Sequence, residues 1–324
     1  MGTVLHAVVI LSCLTVSAAQ ETRTFTLAET RLRDPYILPD PPTQTYYLVT
    51  SSVRPVGLRA NTVSVLRSKD LRTWTGPYPI FEIGPDFWAQ GHIWAPEMHP
   101  YRGKYYLFAT MNGSRRLIDE PWPDWPDKTE RGTQVLVADS PMGPFGPFAN
   151  RSHTDPNIMA LDGTLWVEEG VTYMVYCHEW VQIRDGTIEL IRLKDDLSDV
   201  VGPPVTLFKA SEAPWTPEGR DRYVTDGPFL YRTRTGRLLM IWSSFTDTGY
   251  TTGIAASQSG RVQGPWVHMP TPLFRKDGGH GMIFTTFDGI LMLLLHSPNR
   301  GPDERARLFE LVDDGDTIRI ATDW

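Results

Sequence analysis

Four ionisable residues stand in short polar motifs. They are Asp34 in Arg33-Asp34-Pro35-Tyr36, Asp162 in Leu161-Asp162-Gly163-Thr164, Asp226 in Thr225-Asp226-Gly227-Pro228, and His280 in Gly278-Gly279-His280-Gly281. A fifth motif, Trp94-Ala95-Pro96-Glu97, carries an indole and a carboxylate. Aspartate before glycine or proline is an ordinary turn residue when it stands alone. These aspartates recur at one phase of a repeat, which would bring them to one place. Like charges held together push pKa values apart, and separated pKa values suit acid–base work. Two such carboxyls can cleave a glycosidic bond, one protonating the leaving oxygen while the other activates a water. Inversion of configuration needs them roughly 6.5–9.5 Å apart, and a third acid can orient the proton donor.

The elements that would position these residues are short apolar strands, each following its motif. They are Tyr46–Thr50, Tyr105–Ala109, Tyr173–Tyr176, Leu238–Trp242 and Leu291–Leu295, with starts 53 to 68 residues apart. Helix signals are nearly absent, and 27 Gly with 27 Pro punctuate the chain. A β repeat of this length is the mark of a propeller, here with five blades. Motifs at the head of successive blades then converge on one axis. The chain ends in two more apolar runs, Leu308–Val312 and Ile318–Ala321, expected as the outer strands of the last blade.

Residues 1–19 read as a signal peptide: an uncharged apolar stretch ending Val16-Ser17-Ala18-Ala19 before Gln20. Residues 20–324 are expected to form a single propeller domain. The expected localisation is therefore extracellular, or periplasmic in a bacterium. No other segment approaches the roughly 20 apolar residues of a membrane span. The formal charge of −7 comes without a basic stripe, which argues against nucleic acid. With Cys13 in the signal, Cys177 stands alone and reads as a small buried hydrophobe. Asn112-Gly113-Ser114 and Asn150-Arg151-Ser152 are acceptor sequons. A monomer is expected.

Arg33-Asp34-Pro35-Tyr36-Ile37, Trp94-Ala95-Pro96-Glu97, Leu161-Asp162-Gly163-Thr164 and Gly278-Gly279-His280-Gly281, in this order and spacing, resemble glycoside hydrolase family 43. The resemblance runs over essentially the whole mature chain. It implies a five-bladed β-propeller that hydrolyses arabinose-, xylose- or galactose-containing plant polysaccharides with inversion. It implies Asp34 as the general base and Asp162 as the residue that tunes and orients the acid. The family acid is usually Glu, and the matching position here is Asp226, one methylene shorter. Glu179, in Cys177-His178-Glu179-Trp180, is the alternative acid. His280 is expected on the axis beside an ordered water or a structural calcium ion, and no cofactor is required.

Trp94 is either a stacking wall for a sugar ring or a core aromatic. Glu97 either binds a sugar hydroxyl or pairs with an arginine. Trp122 and Trp125, in a Pro/Trp-rich loop, either stack on sugar or cover a blade edge. Arg33 on a strand would point away from Asp34. The activity that follows is an α-L-arabinofuranosidase acting on a polysaccharide or oligosaccharide. β-Xylosidase, endo-arabinanase and galactanase activities stay open, as does a sugar-binding propeller without catalysis.

Overall fold

The structure, a computed structural model, describes residues 22–51, 61–117 and 125–323. Residues 1–19, read from the sequence as a signal peptide, and Trp122 lie outside these residues. The second strand of each blade explains the architecture. Leu238–Trp242 and Met292–Leu295 are buried at every position. An antiparallel strand with one wet face would alternate; these are apolar throughout because blades pack against both faces of each sheet. Truncating one such leucine to alanine would cost about 2–5 kcal/mol.

Five antiparallel sheets result. From the axis outward, the first blade runs Tyr36–Asp40, Thr45–Val49, Thr62–Ser68 and Trp74–Glu82, and Arg23–Phe25 adds an outer strand. The second runs Ala89–Tyr101, Lys104–Arg116, Thr129–Ala138 and Gly146–Pro147. The third comprises Ala160–Glu168, Val171–His178, Thr187–Leu193 and Val200–Lys209. The fourth comprises Asp226–Arg232, Leu238–Thr246, Gly249–Ser257 and Trp266–His268. The fifth is Gly279–Thr285, Leu291–Ser297, Arg305–Asp313 and Ile318–Asp323, so the two C-terminal runs are its outer strands as expected. Each innermost strand packs on that of the next blade, and the fifth packs on the first. The fold is a five-bladed β-propeller.

The ring is tied where its ends meet. Arg31 Nη2 and Arg33 Nη1 reach the buried Glu304 carboxylate at 2.8 Å and 2.7 Å, joining the first blade to the fifth. Among the described residues the one α-helix is a single turn, Trp180–Ile183, after the second strand of blade three.

Candidate active site

Each blade carries a kink in or just before its innermost strand. Asp34, Ala95, Asp162, Gly227 and His280 all adopt left-handed backbone, with φ of 50°, 40°, 58°, 49° and 51°. In blades two to five the pairing with the second strand slips at this point, between Trp94 and Glu97, Leu161 and Thr164, Asp226 and Phe229, and Gly279 and Met282. These are β-bulges, which re-aim one side chain. Aspartate tolerates the conformation better than most residues. The bulge also corrects the expected phase. Asp34 and Asp162 occupy the kinked position, but in blade four glycine holds it and Asp226 stands one residue earlier. A Cβ on Gly227 would lie 2.8 Å from the His280 ring, so the glycine makes room for that histidine.

Asp34, Asp162, Asp226 and His280 come together around one cavity of about 1480 Å³, which Trp94 and Glu179 also line. His280 Nδ1 lies 3.4 Å from Asp34 Oδ1 and 3.6 Å from Asp162 Oδ2. Its backbone N–H donates to Ser243 Oγ at 2.9 Å. Burial opposes the imidazolium, but the charges of Asp34, Asp162 and Asp226 outweigh it and raise the His280 pKa.

Asp34 is the most strongly held carboxylate. Ser51 Oγ donates to its Oδ2 at 2.6 Å, and Arg33 Nε is 3.5 Å from the same oxygen. Arg33 therefore does not point away, because the left-handed backbone at Asp34 breaks strand alternation. Burial alone would raise the Asp34 pKa. Arg33, His280 and the Ser51 hydroxyl together hold it well below the usual carboxylate range.

Asp162 accepts the Gly227 N–H at Oδ2, 3.0 Å away, and its own N–H donates to Thr110 Oγ1 at 2.7 Å. Burial lifts its pKa to about 6, with the Asp34 charge adding to the rise and His280 opposing it. Asp226 is part-exposed to the cavity and otherwise enclosed. Its enclosure and then the neighbouring Asp162 charge push it up to about 7, against His280 and the Tyr250 hydroxyl. That hydroxyl donates to Asp226 Oδ2 at 2.9 Å. One carboxyl is thus fixed as an anion and another is poised to carry a proton near neutrality.

Glu179 is buried and ion-paired with Arg131 Nη1. Burial raises its pKa while Arg131 opposes the rise. The Arg131 guanidinium lies 4.3 Å from the centroid of the Trp94 ring and donates from Nε to Asn112 Oδ1 at 2.7 Å. Trp94 thus lines the cavity with an arginine against its ring. Glu97 is buried outside the cavity lining, and its partner is a histidine, with His99 Nε2 at 2.8 Å from Oε2. Trp125 lines the cavity, and its Nε1 donates to Val181 O at 2.9 Å. Cys177 is fully buried, and burial raises its thiol pKa well above normal.

Among the described residues no three His, Cys, Asp or Glu side chains are grouped to hold a metal ion. An axial ion would have His280 as its histidine ligand, and that ring already turns Nδ1 toward two carboxylates.

Three contributors carry no local signal in the sequence. Tyr250 stands near the start of a Thr- and Gly-containing strand and reaches Asp226 from two strands away. Ser51 follows the second strand of blade one. His296 ends the apolar run of blade five and touches Asp34 across 262 residues.

The profile described as Glycosyl hydrolases family 43 matches residues 26–312. The chain belongs to this family. It is 23% identical over 309 residues to Alpha-L-arabinofuranosidase 43 of Humicola insolens, covering 87% of this chain and 60% of that protein. It is 25% identical over 335 residues to an extracellular exo-alpha-(1->5)-L-arabinofuranosidase of Streptomyces avermitilis, covering 95% of this chain and 63% of that one. The family 43 chain thus spans about three-fifths of the length of these relatives. Among solved structures it resembles an endo-arabinase from Bacteroides thetaiotaomicron, with 40% identity and a TM-score of 0.79 over 90% of this chain and 99% of the other.

Proposed function

We propose that this family 43 protein is a secreted, inverting glycoside hydrolase that releases α-L-arabinofuranosyl units from plant cell-wall polysaccharide. The observation that carries the reading is the split among the axial carboxyls. Asp34 is held ionised by Arg33, His280 and Ser51, while Asp226 is pushed to about 7. Asp34 then serves as the base that takes a proton from the attacking water. Asp226 serves as the acid that protonates the leaving oxygen. Asp162 acts on that acid in two ways: it accepts the N–H of the next residue, Gly227, and its charge raises the Asp226 pKa. This division of labour between carboxyls of different pKa is what glycosidic hydrolysis requires.

The names of the Humicola and Streptomyces relatives support arabinose as the sugar released, and "extracellular" in the Streptomyces name supports secretion. A second reading, an endo-acting arabinanase, is supported by the name of the 40% identical Bacteroides structure and by a cavity larger than one sugar ring needs. The deciding experiment is hydrolysis of nitrophenyl α-L-arabinofuranoside, nitrophenyl β-D-xyloside and linear arabinan. Product anomer would be followed by proton NMR and product length by chromatography. Free arabinose of inverted configuration supports the exo reading, and oligomers from arabinan support the endo one. Turnover of the xyloside alone, or of nothing, overturns both.

A further inference from the structure

The lining of the cavity also holds a second cluster, made of Trp125, Trp180 and Arg222. Trp180 opens the single-turn helix directly after Glu179, and its ring meets that of Trp125 edge-on at 5.4 Å and 72°. The guanidinium of Arg222 lies 5.1 Å from the Trp180 centroid and 5.9 Å from that of Trp125. The other arginines of the lining are committed to acids. Arg31 and Arg33 bind Glu304, and Arg220 binds Asp247. Among the described residues Arg222 has no carboxylate partner; its neighbours are the two indoles. The adjoining Asp221 is exposed and makes no ion pair there either.

Contact with an indole leaves the guanidinium N–H donors unspent. Such a fork is suited to a carboxylate taken up by two parallel hydrogen bonds. A rigid indole offers an apolar body on which a sugar ring can rest. The cluster is joined to the acid along the chain. Arg222 precedes Asp226 by four residues, and Trp180 follows Glu179, whose carboxylate feels the charge of Asp226.

We infer that Trp180 and Arg222 form a subsite for a uronate residue on the leaving-group side, with the sugar ring on the indole and its carboxylate on the guanidinium. The substrate class is then an arabinosylated polysaccharide that carries uronic acid next to the scissile bond. The leaving-group assignment rests on the hydrolase reading above; the anion subsite does not.

The test compares arabinosylated oligosaccharides bearing one glucuronate or one galacturonate with the same compounds after carboxyl reduction. Dissociation constants are measured by calorimetry in the Asp34→Asn background, and kcat/KM in the wild type. One of the two acidic compounds is expected to bind about tenfold more tightly than its reduced form, in line with a charged hydrogen bond. Arg222→Gln is expected to bring that ratio close to one, and Arg222→Lys to keep only part of it. Equal affinity for acidic and reduced forms, or a ratio that survives Arg222→Gln, overturns the subsite. An intact binding ratio with no turnover removes the hydrolase reading instead, and turnover with a ratio of one removes the subsite alone.

Discussion

The rings of Tyr250 and His296 stack with centroids 5.7 Å apart and 22° between their planes. One plate contacts Asp226 and the other Asp34. Tyr250 donates its hydroxyl hydrogen to Asp226. His296 Nδ1 lies 3.3 Å from the Asp34 backbone nitrogen. The neighbouring network assigns the tautomer of His296. Asn299 Oδ1 accepts from Arg33 Nη1 at 2.7 Å, so it also accepts from His296 Nε2 at 3.1 Å. Nδ1 is then left as a lone pair that receives the Asp34 N–H. Burial keeps this ring neutral, with a pKa of about 4.

The alkaline limb of activity should follow Asp226. The acid must be protonated, so kcat/KM is expected to fall as pH rises through about 7. No matching loss from Asp34 is expected on the mildly acidic side, since its pKa lies below the usual range. Stability carries the same sign. The folded pKa of Asp226 exceeds its unfolded value of about 3.9. Its contribution is therefore complete below about pH 4 and is lost as pH rises through about 7. Asp226→Asn cannot ionise. It should melt above the wild type at pH 8 and converge with it near pH 4, as calorimetry at both values would show.

Two substitutions should move that limb in opposite directions. Removing the Asp162 charge in Asp162→Asn lowers the Asp226 pKa, so activity falls off at lower pH. Removing the Tyr250 hydroxyl in Tyr250→Phe raises it, so the limb moves to higher pH. Both variants lose kcat. Complete pH profiles on one nitrophenyl glycoside would separate them, and a shift of the same sign in both would contradict the assignment of Asp226 as acid.

Glu179 competes with Asp226 for the acid's role, and leaving-group dependence discriminates between them. Asp226→Ala is expected to lose about 10²–10⁴-fold on an unactivated oligosaccharide, and much less on a nitrophenyl glycoside, whose leaving group needs little protonation. Glu179→Gln should show no such contrast, because its carboxylate is committed to Arg131. Arg131→Ala strands that buried carboxylate and should destabilise the fold by about 3–5 kcal/mol, measurable by urea unfolding.

His296 acts through the base, so its substitution should separate kcat from KM. His296→Phe keeps a ring against Tyr250 but leaves the Asp34 N–H without an acceptor. The expected result is a fall in kcat of about tenfold or more, the size of one lost buried hydrogen bond, with KM little changed. Equal changes in both constants would mark His296 as structural only.

The ring and its site were legible to different degrees. Leu238–Trp242 and Leu291–Leu295 announced blades because strands buried on both faces leave uninterrupted apolar runs. Asp34, Asp162 and His280 could be aligned because each stands at the same kink. Asp226 was found but placed one step out of phase, since glycine rather than aspartate fills the kinked position in blade four. The direction of Arg33 was misjudged for the same reason: strand alternation fails where φ turns positive. Tyr250 and His296 were missed because what makes them functional is a partner 24 and 262 residues away, which no local pattern encodes.

The five left-handed residues amount to a dial of interchangeable settings on a fixed frame. Asp34, Asp162 and His280 set three of them, and Ala95 leaves a fourth blank. Ala95 is buried, and its N–H donates to Ser51 Oγ at 2.7 Å, the same hydroxyl that holds Asp34. The fifth setting is locked. At Gly227 the His280 ring already fills the space that a Cβ would take, which is why the carboxyl of blade four has to stand one residue off the dial.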